Sequence, residues 1–224
     1  MINKRIVFFD WNGTFLDDEV ASVEAFRAVL RGVGHEYSEL STDELTALHR
    51  QVFEIPLSKM YDSIGFTDKQ KQLNSEKHFW SESYKVAAPS MKTHIGINES
   101  LQILKEHDIG FGILSNHTAR EIEDRLQGFG FSNIPVLAND DNSQAHTHGK
   151  LHRVENYQTQ HPDIEILAIV GDTAEEVNIA KTIDVASIAF TNGEVLADRI
   201  KPSNPDYLIN SSELPSIIKA IISV

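Results

Sequence analysis

Short apolar runs recur along the chain at 5–9, 109–114, 135–137, 164–170, 186–190 and 207–209, each too short for a helix and each followed by polar or turn residues. The first, with Ile6, Val7, Phe8 and Phe9 in unbroken sequence, shows no polar alternation. A strand buried on both faces looks like this. Between most runs the apolar residues fall at helical spacing instead. Ile97, Leu101 and Leu104 share one face, Ile122 and Leu126 another, Leu151, Val154 and Tyr157 a third, and Leu214, Ile217, Ile218 and Ile221 a last. Strands alternating with helices predict an α/β fold, a Rossmann-like parallel sheet core with helices on both sides.

One stretch breaks the alternation. From Glu19 to Tyr84 the patterns are helical throughout. Val20, Val23, Phe26, Val29 and Leu30 suit one helix face, with Gly32 and Gly34 as its stop. Ser41-x-x-Glu44 has the form of a capping box opening a helix with Leu45, Leu48 and Val52. After Pro56, Leu57, Met60, Tyr61 and Ile64 resume the pattern, and Thr67-x-x-Gln70 is placed to cap a helix bearing Leu73, Trp80 and Tyr84 before Pro89. An all-helical insert after the first strand of an α/β sheet predicts a helical cap domain at 18–89, with the core formed by 1–17 and 90–224.

Composition narrows the function classes. A net charge of -13 over 224 residues argues against a nucleic-acid surface, which needs stripes of Lys and Arg. No apolar run reaches the length of a membrane span, and no basic-then-apolar leader opens the chain, so neither nucleic acid nor membrane is an expected partner and the cytoplasm is the default location. There are no cysteines, which excludes thiol catalysis and disulfides. His146-x-His148-x3-His152 lacks a carboxylate or cysteine at recognised zinc spacing.

In open parallel sheets ligands bind beyond the carboxyl ends of the strands. The residues following the runs are therefore the candidates: Asp10-Trp11-Asn12-Gly13-Thr14 after the first, Ser115-Asn116 after the second, and Gly171-Asp172-Thr173 with Glu175 and Glu176 after the fourth. Lys150 lies between the last two. Each has a plainer reading. Ser115-Asn116 suits a turn, Thr173-x-x-Glu176 is itself a capping box, and Lys150 suits a solvated helix start.

Taken in order, these segments resemble the haloacid dehalogenase superfamily, and the stretches from Gly96 to Lys105 and from Phe111 to Asn116 resemble its phosphoglycolate-phosphatase-like branch with a helical cap. The resemblance implies a hydrolase acting on a small phosphorylated metabolite. Asp10 is the implied nucleophile, giving an aspartyl-phosphate that divides the displacement into two easier steps. Gly13, Thr14, Ser115, Asn116 and Lys150 are the implied phosphate-binding residues, with Lys150 also neutralising Asp10. Mg²⁺ is the implied cofactor, held by Asp10, the main-chain carbonyl of Asn12, Asp172 and Glu176, because Mg²⁺ takes oxygen ligands.

The sequence departs from the family at Asn12, where the superfamily carries the Asp that protonates the leaving group and activates water. An amide does neither. Loss of a general acid–base group costs roughly 10²–10⁴ in rate. Three readings stay open: a slow or specialised phosphatase, a catalytically silent relative that binds a phosphorylated ligand, and a phosphonatase-like enzyme using a cap lysine (Lys59, Lys69, Lys71, Lys77 or Lys85). Lys150 also lacks the Pro that normally follows it in the family.

Overall fold

The computed structural model describes residues 4–53, 57–87, 90–139, 149–191 and 194–223, with the main chain alone at 194–196. Ile6, Val7, Phe8 and Phe9 are all buried, as a strand covered on both faces requires. Their strand, β1 (Arg5–Phe9), accordingly lies inside the main sheet. The chain continues through β2 (Leu16–Asp17), α1 (Glu19–Val33), α2 (Thr42–Val52), α3 (Leu57–Ser63), α4 (Lys69–Ser75), α5 (Ser81–Ala87) and β3 (Lys92–Thr93). It then alternates as α6 (Ile97–Glu106), β4 (Gly110–Thr118), α7 (Ala119–Gly128), β5 (Val136–Asn139), α8 (Lys150–Gln160), β6 (Glu165–Gly171) and α9 (Ala174–Thr182). It closes with β7 (Ala186–Phe190), α10 (Glu194–Ile200), β8 (Tyr207–Ile209) and α11 (Leu214–Ile222).

The main sheet has the strand order β5-β4-β1-β6-β7-β8, and its pairings are parallel. The α/β Rossmann-like class is thereby confirmed. From β1 the chain builds outward through β4 and β5, then returns to pair β6 with the other side of β1. A reversal of this kind opens a crevice at the carboxyl ends of the strands flanking it. Those are β1, β4 and β6.

The chain divides into two compact units: Met1–Leu16 with Thr93–Val224, and Asp17–Lys92. In the first, one side of the sheet packs Phe8, Leu114, Ile166 and Ile169 with Val154 and Tyr157 of α8. The rings of Phe8 and Tyr157 meet edge-on at 5.2 Å. The expected buried face of α8 needs one correction. Leu151 is only half-buried, and the buried residues are Lys150, Val154 and Tyr157. Their i, i+4, i+7 spacing is a regular helical stripe, so packing Val154 and Tyr157 on the sheet turns Lys150 inward as well. The loop after β1 is held by stacked aromatics, Trp11 on Phe15 at 5.2 Å and Phe15 on Phe111 at 6.1 Å.

The second unit is helical. Phe26, Val29 and Leu30 of α1 cluster with Leu45, Met60 and Tyr61. The Ser41–Glu44 capping box forms with both its bonds. Elsewhere the helix signals were misplaced. Gly32 lies inside α1, where a Cβ would meet the Phe79 ring at 2.4 Å, and only Gly34 terminates the helix, in the left-handed conformation. Asp68, not Thr67, caps α4 by accepting from the Lys71 amide at 3.1 Å. Val20 and Leu73 are exposed, so the buried stripes start later than the apolar pattern implied. Pro56 and Pro89 lie outside the described residues. Among those described, no helix is long and apolar enough to cross a membrane.

His49 is buried in this unit beside Phe53 (ring centroids 4.8 Å apart) and Phe26 (5.6 Å). Burial lowers its pKa to about 4, against the opposing pull of Asp18 and Glu19. The imidazole is thus neutral when folded but titrates near the ordinary value of 6.5 when unfolded. The unfolded chain binds more protons between these values, so stability falls as pH drops from about 6.5 towards 4. Lowering the pH from 7 to 5 is expected to cost about 2 kcal/mol through this residue. Urea unfolding of wild type and His49→Leu at both pH values tests it, the variant losing that part of the pH dependence.

Candidate active site

The turn leaving β1 is held by main-chain bonds. The Asp10 amide donates to the Val170 carbonyl at 2.8 Å, the Phe15 amide to the Asp10 carbonyl at 3.1 Å, and the Leu16 amide to the Trp11 carbonyl at 2.8 Å. β1 and β6 are adjacent, so Asp10 and Asp172 leave the sheet side by side. Gly13 has φ +71°, and a Cβ there would lie 2.3 Å from Asp172 Oδ2. Only a glycine lets the turn close this tightly on the carboxylate. Thr14 Oγ1 donates to Asp172 Oδ1 across 3.5 Å. Asn12 sits half-buried in the same turn.

Lys150 is the first residue of α8, whose N-terminus opens at this edge because the helix must cross back before β6. Its side chain is only 5% exposed. The ammonium donates to Asp10 Oδ1 at 2.8 Å and to Glu176 Oε1. The solvated helix-start reading therefore fails. The capping-box reading of Glu176 holds, and its other oxygen meets the lysine. Oε2 caps α9 by accepting from the Thr173 amide at 3.2 Å, while Oε1 faces Lys150. Gly171 leaves it room, since a Cβ there would fall 2.2 Å from Glu176 Cγ.

Ser115 and Asn116 lie within β4, not after it, because the strand runs on to Thr118. Ser115 is buried, and its Oγ accepts from the His117 amide at 3.1 Å, which leaves the hydroxyl hydrogen to donate elsewhere. Asn116 is exposed and donates to Glu175 Oε2 at 3.3 Å. Sequence reasoning missed Arg153 and Asn139, which bond Asn116. The signal available was the i, i+3 spacing of Arg153 from Lys150 on one helical turn. His146 and His148 lie outside the described residues, and His152 is exposed.

Asp10, Asp172 and Glu176 each offer a carboxylate oxygen, all within 4.8 Å of one another. Ligands of a six-coordinate Mg²⁺ stand roughly 3 Å (adjacent) to 4.2 Å (opposite) apart, so these carboxylates are near enough to one another to be candidate ligands of one divalent cation. The donors are all hard oxygens, which suits Mg²⁺, Mn²⁺ or Ca²⁺ over softer metals. Two buried carboxylates share one ammonium here. Burial, the largest influence, raises the Asp10 carboxyl to about 7; Lys150 opposes this and Glu176 reinforces it. Burial also disfavours the Lys150 ammonium, yet Asp10 and Glu176 outweigh it and hold its pKa above the ordinary lysine value. Lys150 stays cationic.

The fold and this edge define an α/β protein whose acids and lysine converge at the carboxyl edge of a parallel sheet. The chain belongs to the haloacid dehalogenase-like hydrolase family, whose profile matches residues 7–190. A phosphorylated carbohydrates phosphatase from Thermotoga maritima is 26% identical over 125 residues. That match spans about half the length of either protein, 54% of each. Among solved structures, a haloacid dehalogenase-like family hydrolase from Streptococcus pneumoniae superposes with TM-score 0.73 at 16% identity, covering 99% of this chain and all of that one (100%). A hydrolase from Pseudomonas syringae gives 0.65 at 16%, covering 96% and 98%. At such identities these likenesses establish the fold.

Gly13→Ala must push Asp172 aside and strain the turn, so a divalent cation held by these carboxylates is expected to bind more weakly in the variant. Calorimetric titration with Mg²⁺ beside a thermal melt checks this, and equal affinity in the variant would reject the packing argument. Metal ligation needs the Asp10 anion. Affinity for a divalent cation at this cluster is therefore expected to fall as pH drops through about 7.

Proposed function

We propose that the chain is a phosphatase for a small phosphorylated metabolite of the sugar-phosphate class, with 18–89 serving as cap domain to a core of 1–17 and 90–224. The observation that carries this is the buried lysine bonded to Asp10, at the edge where Asp172, Glu176 and Ser115 also end. The relative from Thermotoga maritima, a phosphatase of phosphorylated carbohydrates by name, supports the substrate class.

In this reading an Asp10 carboxylate oxygen attacks phosphorus and the bond to the leaving oxygen breaks. Water then attacks the aspartyl-phosphate, the bond between phosphorus and the Asp10 oxygen breaks, and phosphate departs with Asp10 restored. Lys150 neutralises Asp10 and one phosphate oxygen. Ser115, Asn116 and the amides of Gly13 and Thr14 bind the others, aided by the positive N-terminal end of α7. Asp10, Asp172, Glu176 and the Asn12 carbonyl would hold Mg²⁺, which when bound offsets repulsion between nucleophile and phosphate dianion. Asn12 supplies no proton, so the leaving group must be a good one or draw its proton from water.

The phosphonatase-like reading has no comparable support. Lys59, Lys69, Lys71, Lys77 and Lys85 are all exposed, whereas an imine-forming lysine is activated by desolvation or by a neighbouring cation.

Two variants, metal removal and a comparison of substrates test the proposal. Asp10→Asn is expected to abolish turnover, and EDTA to do the same in the wild type. Aryl phosphates, whose leaving groups need little protonation, should outpace alkyl phosphates in the wild type and give a burst as aspartyl-phosphate accumulates. Asn12→Asp should speed alkyl phosphate turnover by about 10² or more. Asn12-Gly13 is prone to deamidation, so peptide mass must accompany the kinetics. Asp10-independent turnover rejects the covalent mechanism. Phosphate binding without any turnover, in wild type and Asn12→Asp alike, selects the silent binding protein.

A further inference from the structure

The end of β4 that carries Ser115 is not held by the sheet in the ordinary way. Its pairing with β5 runs Ile113↔Val136 and Leu114↔Leu137, then resumes at Thr118↔Asn139. Three residues of β4, Ser115 to His117, therefore stand against Ala138 alone. Such a bulge leaves ladder groups unpaired, and it re-aims side chains beside functional sites. Backbone groups released in this way must find other partners or pay desolvation.

The partners are side chains of β5 and α8. Asn139 Nδ2 donates to the main-chain carbonyl of Asn116 at 2.5 Å, replacing a ladder bond with a side-chain bond. Arg153 then locks both residues. Its Nη1 donates to Asn139 Oδ1 at 2.5 Å and its Nη2 to Asn116 Oδ1 at 2.6 Å. The three residues close a ring of hydrogen bonds over β4, β5 and α8. A guanidinium suits this ring because its planar fork presents two parallel donors, which a lysine cannot.

We infer that Arg153 is a positioning residue of the phosphate site: by clamping Asn116 and Asn139 it sets the bulged segment that aims Ser115 at the phosphoryl group. α8 thus serves the site twice from one turn, through Lys150 on Asp10 and through Arg153 on the β4 bulge. The inference rests on the proposed phosphatase reading for the role of Ser115, but the clamp involves neither the nucleophile nor the acidic cluster.

The test uses the full chain with inorganic phosphate as probe. In Arg153→Ala, the inhibition constant of phosphate should rise and kcat/KM should fall about 10- to 100-fold, as small misplacements of binding groups produce. Mg²⁺ affinity should stay at the wild-type value, which a general collapse of the site would not allow. Methylguanidinium in solution should restore part of the phosphate affinity, and Arg153→Lys should restore little. Asn139→Ala should reproduce the phosphate defect, and the double variant should be no worse than either single one, since both break one ring. Should Arg153→Ala not fold, Asn139→Ala carries the same comparison. Unchanged phosphate inhibition in Arg153→Ala or Asn139→Ala, or additive losses in the double variant, overturns the clamp while leaving the phosphatase reading intact. A wild type that neither binds phosphate nor depends on Asp10 overturns both.

Discussion

A single buried ammonium, that of Lys150, holds two carboxylates together at the carboxyl edge of the sheet. Removing one member of such a buried charged group typically costs roughly 3–5 kcal/mol, because the remaining charges are left uncompensated. The surrounding structure is arranged to keep this cation in place. α8 is pinned to the sheet by Val154 and Tyr157, and the same helical stripe delivers Lys150 to Asp10. Core packing and site assembly are thus the same event. Burial, reinforced by Glu176, raises the Asp10 carboxyl, and two acids on one lysine leave the group short of positive charge, which makes the place receptive to a divalent cation.

Close approach is the second constraint. Gly13 and Gly171 are each overlain by a carboxylate side chain, that of Asp172 in one case and Glu176 in the other. These glycines act by omission, since a methyl group at either would displace an acid from the cluster. Glu176 illustrates how economically the residues are used. One of its oxygens ends α9 properly and the other meets Lys150, so the helix cap and the charge cluster hold one side chain in a single rotamer.

Against this complete surround, Asn12 stands out. The amide matches the aspartate it replaces in shape but cannot exchange protons, so it can preserve the turn without preserving the acid–base step. In the proposed mechanism the physical consequence would fall on the leaving group and on water, not on the attack by Asp10. Under that proposal the surrounding residues would govern phosphate binding, and position 12 rate and substrate choice.

The sequence by itself determined the strands of the main sheet and the α/β class, because buried strands demand unbroken apolar runs. Runs 5–9, 186–190 and 207–209 coincide with β1, β7 and β8. The Ser41 and Thr173 capping boxes were equally legible, since a cap is a local hydrogen bond between residues three apart. Signals resting on a single residue type went astray: Gly32 does not stop α1, and Thr67 does not cap α4. Lys150 could be named from the sequence but not shown to be buried, because its direction depends on which stripe of α8 meets the sheet. The clamp of Arg153, Asn116 and Asn139 was invisible for a stronger reason. Its members are 14 to 37 residues apart, and only the register of β4 against β5, with its three-residue bulge, brings them together. Local pattern fixes what each segment becomes; which side chains then meet is decided by strand order and register, which no segment carries alone.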